Sequence, residues 1–376
     1  MAGIYMAEAR IDLTRLRKNI QIVRDRIGKS MKMLFPVKAD GYGHGAVGIS
    51  KESEKLGVDY LGVANLFEAL ELRKSGIKLP ILILSASRPE LADELVESDV
   101  TITVSTVEMM RSLQAAAKRA GKIVKGHVKV DTGMGRNGVL VDETPQFMKE
   151  LSTCSHIDVE GIFSHFSVSY SENPDDQAFT RQQISSFNGL LKILDKSGSL
   201  PKLRHIANSS ALVQFEEEVA TSYYNMVRPG VLIYGYPEIR KPWTEGIQPP
   251  MSLITWVIAQ KKMPAGRFIG YGRKYQTPSE RIIATLPVGY ADGINPKMAQ
   301  LGEVVLHGRR APFVGGISMD QLTIDVTDIP DVNVGDEVEL IGDSLHAEEI
   351  AQTVGAKFTE IVLTALSRRV ARIYLD

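Results

Sequence analysis

Residues 33–45 read MLFPVKADGYGHG and join an apolar run to a glycine-rich loop through a single lysine. The apolar run has the composition of a buried strand, and Lys38 stands where that strand ends. A lysine removed from water loses the hydration that favours its charge, so its pKa falls and its amine becomes nucleophilic. The alternative is a strand-terminal lysine whose ammonium reaches solvent. The rest of the chain decides between the two interpretations.

Short apolar runs alternate with amphipathic segments from this region to about residue 235. They predict eight strands, at 32–38, 60–65, 81–85, 101–105, 126–131, 159–164, 204–208 and 226–234. Apolar residues at helical spacing predict helices at 13–27, 66–75, 106–120 and 177–196. Eight strand–helix units over roughly 225 residues are typical of a TIM (β/α)8 barrel. A doubly wound sheet is the alternative, but no Gly-x-Gly-x-x-Gly follows the first strand.

After residue 235 the chain changes to prolines, short strands and polar turns. Strands are predicted at 253–260, 281–286, 303–306, 321–325 and 337–341, and helices at 347–354 and 360–367. This pattern favours a second, mostly β domain. We therefore predict a barrel domain at 1–240 and a β domain at 241–376, with roughly the first ten residues able to pair with the second domain.

Composition excludes several classes of function. The 376 residues carry 44 basic and 45 acidic side chains, so no net field attracts nucleic acid or an anionic membrane. No run of 18 apolar residues and no signal peptide is present in the sequence, which predicts a cytoplasmic protein. The single cysteine, Cys154, cannot form an intramolecular disulfide, and no metal site is expected.

Polar residues follow the predicted barrel strands, where a TIM barrel holds its active site. They are Lys38, Tyr42, Asp131, Arg136, His165, His205, Asn208, Ser209 and Arg228. The segments IANSSA (206–211) and RPGVLIYG (228–235) offer hydroxyls and free amides, notably at Gly230 and Val231, and resemble the phosphate site that barrels build after strands seven and eight. A lysine facing such a site suggests pyridoxal 5′-phosphate, with a phosphosugar barrel carrying a Schiff-base lysine as the alternative.

Eight motifs spread over both predicted domains together resemble the alanine racemases, the barrel-type (fold type III) pyridoxal-phosphate enzymes. They are VKADGYGHG (37–45), HVKVDTGMGR (127–136), FSHF (163–166), HIANSSA (205–211), VRPGVLIYG (227–235), GYGRKY (270–275), PVGYADG (287–293) and ISMDQ (317–321). The resemblance implies a racemase that interconverts L-alanine and D-alanine and supplies D-alanine for peptidoglycan.

The resemblance implies that Lys38 carries the cofactor and is one catalytic base, and that Tyr271 is the other. Chemistry agrees, because inverting a stereocentre by proton exchange needs a group on each face of the planar carbanion. A phenol with a pKa near ~10 needs neighbouring cations to act as a base, and His165 and Arg228 are the candidates for that network. The implied cofactor-binding residues are Lys38, Tyr42, His165, Asn208, Ser209, Arg228, Gly230 and Val231.

Two arginines and a lysine have further implied roles. Arg228 matches the arginine opposite the pyridine nitrogen, and because guanidinium cannot accept a proton it donates to an unprotonated nitrogen. Arg136 is implied to hold the cofactor's phenolic oxygen and the substrate carboxylate, which suits its planar fork. Lys129 matches a position that is carbamylated in some members, and the alternative is an ordinary solvated lysine.

The resemblance also implies a homodimer whose two active sites are shared between chains. Tyr271, Tyr290, Met319 and Asp320 of one chain would complete the site around Lys38 of the other, with the Met319 amide binding the substrate carboxylate. One departure concerns the tract KFTEIVLT (357–364), where the family has a tyrosine that contacts the cofactor phosphate and this chain has Phe358 and Thr359. This departure weakens the prediction of strict alanine preference more than that of racemisation.

Other functions remain open at this point. A racemase with relaxed specificity that includes serine fits the departure at Phe358. A barrel-type amino-acid decarboxylase shares the two-domain plan, but it typically offers a cysteine base and a glycine-rich phosphate loop, which this sequence lacks. A non-catalytic pyridoxal-phosphate-binding barrel would end near residue 235, which the second domain with GYGRKY and ISMDQ argues against.

Overall fold

A computed structural model of the protein describes residues 5–220 and 223–376. Its contacts divide the chain into two compact units. The barrel unit comprises Arg17–Gly41 and Ala46–Gln248, and the sheet unit comprises residues 5–16, Tyr42–Gly45 and Pro249–Asp376. The predicted boundary at residue 240 lies before this transition, because the backbone of Gln248 is hydrogen-bonded in both directions to the buried amide side chain of Asn19, at 2.7 and 3.0 Å.

Eight parallel strands in chain order form the barrel, as predicted. They are Lys32–Pro36, Tyr60–Val63, Ile81–Ile83, Thr101–Val104, Val124–Asp131, Ile157–Phe163, Leu203–His205 and Met226–Val227. Each pairs with the next in parallel from the first to the seventh, and the eighth pairs with the first. A parallel bridge between Asn208 and Arg228 links the ends of the seventh and eighth strands. A short strand, Val139–Leu140, adds to the side of the fifth.

Helices accompany these strands. They are Leu13–Ile27, Ala46–Lys55, Leu66–Lys74, Ala92–Glu97, Val107–Ala120, Thr144–Leu151, Pro174–Lys196, Ser209–Gln214 and Glu216–Val219, with 3₁₀ turns at Pro89–Leu91 and Pro242–Thr244. The segment Lys38–Tyr42 is a left-handed turn. The helix Val107–Ala120 shows why the helices form: Thr106 accepts a hydrogen bond from the Met109 amide at its start, and Gly121 ends it in the left-handed conformation at φ 64°.

The eighth strand differs from the prediction over residues 228–234. It ends at Val227, because Pro229 has no amide hydrogen to donate to a ladder. The Ile233 and Tyr234 amides then donate to Gly230 O at 3.0 and 3.4 Å, which makes the apolar run VLIYG a series of turns. This change places Arg228 and Gly230 at the carboxyl end of the barrel instead of inside a strand.

The barrel interior is filled by side chains from several strands. One buried cluster comprises Leu34, Tyr60, Leu82, Leu203 and Met226. Burying each large apolar side chain contributes about 1.5–3 kcal/mol. This close-packed core supports the carboxyl ends of the same strands. Polar side chains at those ends are therefore held in fixed positions.

The sheet unit is mostly β, as predicted. Its strands are Ala7–Asp12, Met251–Trp256, Ala259–Met263, Phe268–Ile269, Tyr275–Gln276, Arg281–Leu286, Glu303–Leu306, Arg309–Pro312, Leu322–Asp325, Glu337–Ile341 and Ala371–Leu375. Helices Ala347–Thr353 and Glu360–Leu363 and 3₁₀ turns Tyr271–Arg273, Tyr290–Asp292 and Pro296–Met298 complete it. Ala7–Asp12 lies in the largest sheet, antiparallel to Met251–Trp256 and parallel to Ala371–Leu375.

Candidate active site

Lys38 follows the first barrel strand and opens a left-handed turn. Ala39, Asp40 and Tyr42 have φ values of 51°, 54° and 53°, and Gly41 has 61°. Each non-glycine residue in this conformation costs about 1–2 kcal/mol. The turn is held because the Asp40 carboxylate accepts the Ala46 amide at 2.9 Å. Backbone strain of this kind concentrates at functional sites.

The segment that follows the turn, Tyr42–Gly45, packs within the sheet unit. Arg372 Nε donates to Gly43 O at 3.0 Å, and Tyr374 Oη donates to His44 O at 3.1 Å. Gly43 has a φ of 83°, and a Cβ there would lie 2.1 Å from Leu363 O. Glycine at 43 is therefore required both by its conformation and by the close approach of this backbone.

Arg228 lies at the carboxyl end of the barrel and is 4% exposed. Its Nη1 donates to His205 Nδ1 at 2.8 Å, and its Nη2 donates to Ser164 O, Ile206 O and His165 Nδ1 at 2.8, 3.0 and 3.2 Å. Among the described residues its Nε has no hydrogen-bond partner. Burial lowers its pKa, but guanidinium stays charged near neutral pH.

The two histidines beside Arg228 are neutral. Burial and the charge of Arg228 lower the pKa of His165 and of His205 well below the ordinary value. Because each accepts from Arg228 at Nδ1, each carries its hydrogen on Nε2. His165 therefore offers an N–H donor to whatever lies beyond it.

Lys129 is buried, with 5% of its surface exposed, and its Nζ lies 5.1 Å from the centre of the Phe163 ring. Burial, followed by the charges of Arg228, Arg136 and Lys38, lowers its pKa to about 7. The alternative interpretation of an ordinary solvated lysine is wrong, because strand five directs this side chain inward.

The predicted phosphate site is built around a helix start. Asn208 Oδ1 accepts from the Ala211 amide and from Ser169 Oγ, both at 3.0 Å, so its oxygen caps the helix Ser209–Gln214. Ser209 Oγ accepts the Leu232 amide at 3.2 Å and keeps its own hydrogen to donate. The prediction of a free amide at Gly230 is wrong, because this amide donates to Arg228 O at 3.0 Å, while no partner of the Val231 amide lies within the described residues.

These side chains make the carboxyl end of the barrel electropositive. The charges of Lys38, Arg136 and Arg228 each lower the pKa of Lys129. The nearby Asp131 is already engaged, since its Oδ1 accepts the amides of Gly133, Met134 and Gly135 at 2.9, 2.9 and 3.2 Å. A ligand with a phosphate, an anionic oxygen and one neutral acceptor for Arg228 Nε matches this donor set.

The sheet unit holds the other predicted residues on exposed turns. Tyr271 is 77% exposed, Met319 52% and Tyr290 46%. The turns are joined by backbone hydrogen bonds: the Tyr290 amide donates to Ser318 O at 3.1 Å, and the Ala291 amide to Met319 O at 3.0 Å. The structure therefore gathers Tyr290 and Met319 at one place in this unit.

Arg369 fixes the same two turns through charge. Its Nε lies 3.1 Å from Asp292 Oδ1, and its Nη1 donates to Asp320 Oδ1 at 2.8 Å. Asp320 thus has an internal ion pair, which sequence reasoning did not anticipate. Lys357 Nζ lies 5.7 Å from the centroid of the Phe358 ring. Thr359 precedes the helix Glu360–Leu363.

Comparison with known proteins identifies the family. Residues 11–238 match the family model "Alanine racemase, N-terminal domain", and residues 250–374 match "Alanine racemase, C-terminal domain". The curated protein "Alanine racemase 2" of Caldanaerobacter subterraneus subsp. tengcongensis is 40% identical over 370 residues, covering 97% of this chain and 94% of that protein.

The chain belongs to the alanine racemase family.

Solved structures agree with this assignment. The alanine racemase of Clostridium difficile 630 superposes with a TM-score of 0.92 at 34% identity, covering 98% of this chain and 96% of that one. The alanine racemase of Bartonella henselae, solved with covalently bound pyridoxal phosphate, has a TM-score of 0.85 at 25% identity and covers 98% of this chain and 99% of its own. The barrel and the second, mostly β unit are thus those of the family.

Some features of this alanine racemase family member were missed from its sequence. His205 stood at a strand end, but its role as an acceptor for Arg228 was not predicted, and His127, which contacts it, was not singled out. The signal was present in the alternation of HVKVD, which puts His127 and Lys129 on the same face of strand five. Among the described residues, no group of three metal-ligating side chains could hold a metal ion, and no helix is long and apolar enough to cross a bilayer.

Proposed function

We propose that the protein is a pyridoxal-phosphate-dependent racemase that interconverts L-alanine and D-alanine. One observation carries the proposal: Lys38 follows the first strand at the end of the barrel that holds the buried cations Lys129 and Arg228, and among the described residues Arg228 Nε has no hydrogen-bond acceptor. Family membership supports it, as does the covalently bound pyridoxal phosphate of the Bartonella henselae relative.

The residues that would hold the cofactor are those predicted from sequence. Lys38 would bind its aldehyde, and Tyr42, Asn208, Ser209, Gly230 and Val231 would lie about its phosphate. Arg228 would donate to its pyridine nitrogen beside His165. When bound, the cofactor supplies an electron sink that weakens the Cα–H bond of an amino acid joined to it.

The protein would supply a base on each face of the substrate. The amine of Lys38 would exchange the Cα proton on one face, removing it from D-alanine, and the Tyr271 phenolate would exchange it on the other, removing it from L-alanine. His165, neutral and carrying its hydrogen on Nε2, would stabilise an oxyanion near it. Arg136 and the Met319 amide would hold the substrate carboxylate.

We propose that the active sites are shared in a homodimer. Tyr271 is exposed on its own chain, and Tyr290 and Met319 share that exposure. Apolar side chains of this size are usually covered by a partner when they form a patch. Their placement supports an arrangement in which Tyr271, Tyr290, Met319 and Asp320 complete the barrel site of the second chain.

We also propose that Lys129 is carbamylated. Its pKa of about 7 leaves an amine lone pair that can attack carbon dioxide, forming an N–C bond while one proton leaves to solvent. The carbamate would bring a negative charge among Arg228, Arg136 and Lys38. A ¹³C NMR signal on incubation with ¹³C-bicarbonate, lost in Lys129→Met and kept in Lys122→Met, tests this; equal signals in both variants would contradict it.

The racemase proposal is tested by chiral chromatography of alanine incubated with the purified holoenzyme. Either enantiomer should end as an equal mixture, because enantiomers have equal free energies in water. Borohydride reduction followed by peptide mapping should place the pyridoxyl group on Lys38. An adduct on Lys32 or Lys129, or bound cofactor without turnover, would overturn the assignment in favour of a different anchor or a non-catalytic binding protein.

We further propose that the D-alanine enters peptidoglycan synthesis in the cytoplasm. The proposed reaction supplies the enantiomer that this polymer requires. Expression of the chain should allow a D-alanine auxotroph to grow without added D-alanine, and expression of Lys38→Ala should not.

A further inference from the structure

A line of buried side chains runs from Arg228 through the barrel interior, away from the predicted cofactor. Arg228 Nη1 donates to His205 Nδ1 at 2.8 Å, and His205 Nε2 lies 3.0 Å from His127 Nδ1. His127 Nε2 in turn faces Glu160 Oε2 at 3.7 Å. Both imidazoles are 0% exposed.

The far end of this line is a carboxylate held by donors from the amino ends of two strands. Glu160 accepts from Tyr60 Oη at 2.7 Å and from Lys125 Nζ at 3.0 Å. Burial alone would raise the pKa of Glu160, but His127, Tyr60 and Lys125 outweigh it and bring the pKa to about 2. Glu160 is therefore ionised and accepts only.

The chemistry of the two ends fixes the hydrogens between them. Guanidinium has donors and no acceptor, whereas carboxylate has acceptors and no donor. A neutral imidazole has one of each, so a single arrangement fits the contacts of 2.8 and 3.0 Å and points the remaining hydrogen of His127 at Glu160 Oε2, which lies 3.7 Å away, beyond hydrogen-bond length. His205 and His127 both accept at Nδ1 and carry hydrogen on Nε2.

The surrounding core is shaped for these two rings. A Cβ on Gly161 would lie 2.6 Å from the His127 ring, so glycine on strand six makes the room that the ring occupies. The Phe163 and His205 rings stack with centroids 4.8 Å apart and planes 4° apart. The rings therefore cannot turn over without repacking the core.

We infer that His127 and Glu160 are positioning residues that hold Arg228 as a hydrogen-bond donor toward the cofactor, by keeping the hydrogen of both imidazoles on Nε2. If His205 carried its hydrogen on Nδ1, two donors would face each other and the guanidinium would have to move. The assignment to cofactor positioning rests on the proposed function. The tautomers do not, and they are measurable without cofactor.

The first test is ¹⁵N-histidine NMR of the wild-type protein stripped of cofactor, with His127→Gln and His205→Gln used for assignment. Both residues should be neutral near pH 7 and protonated at Nε2. A hydrogen on Nδ1 of either ring, or a charged imidazolium, would overturn the inference whatever the enzyme's activity.

The second test changes Glu160. Glu160→Leu removes the acceptor, so both imidazoles should show mixed tautomers, and the visible absorption maximum of the cofactor-loaded protein should shift. Its kcat should fall about tenfold with little change in KM, the low end of effects from residues that orient a site's direct contacts. Glu160→Gln keeps a carbonyl acceptor and should restore the wild-type tautomers.

The matched control is Glu97→Leu, which removes an exposed carboxylate that binds Lys122 Nζ at 2.6 Å. It should leave tautomers, absorption and kcat unchanged. Wild-type spectra in Glu160→Leu would overturn the positioning role. Expected tautomers in a protein that turns over no amino acid would instead refute the proposed racemase and leave the buried line intact.

Discussion

The two units present their reactive side chains in opposite ways. In the barrel unit Arg228 and Lys129 are 4% and 5% exposed and lie among neutral histidines, whereas in the sheet unit Tyr271 is 77% exposed. The barrel prepares its part of the site with contacts from its own chain. The sheet unit fixes its turns through backbone hydrogen bonds and through the ion pairs of Arg369, while Tyr271, Tyr290 and Met319 stay exposed, so under the proposed function a second surface would complete its part of the site.

Among substitutions in the barrel unit, Lys38→Ala should have the largest effect on activity. It should lose covalent cofactor and reduce kcat/KM for alanine by about 10⁴-fold, since both the anchor and one base disappear. Lys32→Ala is the matched control, because Lys32 begins the same strand and binds Asp59 at 3.3 Å. Chiral assay of both enantiomers measures the effect; substantial turnover by Lys38→Ala would place the chemistry elsewhere.

The corresponding substitution among the exposed residues of the sheet unit is Tyr271→Phe. It should retain the cofactor spectrum and lose about 10³-fold in racemisation, because one face of the substrate no longer has a base. Tyr5→Phe, another exposed tyrosine of the sheet unit, should behave as wild type. Near-normal rates in both directions would assign the second base to another residue.

Substrate choice tests what the exposed side chains add. Alanine should be the best substrate, since Tyr271, Tyr290 and Met319, placed in the proposed shared site, would leave little room beyond a methyl group. Serine should be slower by about 10²-fold, because an apolar site rejects an added hydroxyl only weakly, and lysine and arginine should not react. Equal kcat/KM for serine and alanine would favour a racemase with relaxed specificity. It would also indicate that having Phe358 and Thr359 in place of the family's tyrosine affects substrate choice.

Mixing the two inactive variants tests whether Tyr271 of one chain acts in the active site around Lys38 of a second chain. After unfolding and refolding together, Lys38→Ala and Tyr271→Phe should recover about a quarter of wild-type activity, since in the proposed homodimer half the dimers would be hybrids and each hybrid would have one intact site. Refolding each variant alone is the control. No recovery in the mixture, despite hybrid dimers shown by tagged chains, would confine each site to one chain.

The smallest expected effect concerns the buried charge of Lys129. Its pKa is about 7 in the folded protein and near ~10.4 when unfolded, so between these values the unfolded chain binds more protons. Cofactor-free wild type kept free of carbon dioxide, so that Lys129 remains an amine, should therefore gain stability over Lys129→Met by about 1 kcal/mol per pH unit as pH rises through this window. Urea unfolding at several pH values measures it, with Lys122→Met as the exposed control. A flat difference would show that Lys129 is solvated in solution.

Local patterns were enough to predict the barrel and the lysine at its first strand. The helix Leu13–Ile27 has the predicted bounds, and each of the eight strands begins within two residues of its predicted start. Such features depend on apolar spacing along a short segment, which the sequence displays directly.

Features that depend on distant contacts could not be predicted in the same way. The run VLIYG has strand composition, and only its hydrogen bonds to Gly230 O make it a turn. The burial of Lys129 and the contact between His127 and His205 need strands five and seven to face one barrel interior. Nothing near residues 42–45 indicates that Arg372 and Tyr374 will bind them.

This last contact limits how the protein can be recombined with its relatives. A Cβ on Gly45 would lie 2.1 Å from Tyr374 Oη, and one on Gly43 equally close to Leu363 O, so residues 42–45 and the segment 363–374 must match in shape. A chimaera with its crossover near residue 248 would take these surfaces from different parents, although the break falls between compact units. A donor for the segment after 249 should therefore bring residues 42–45 with it.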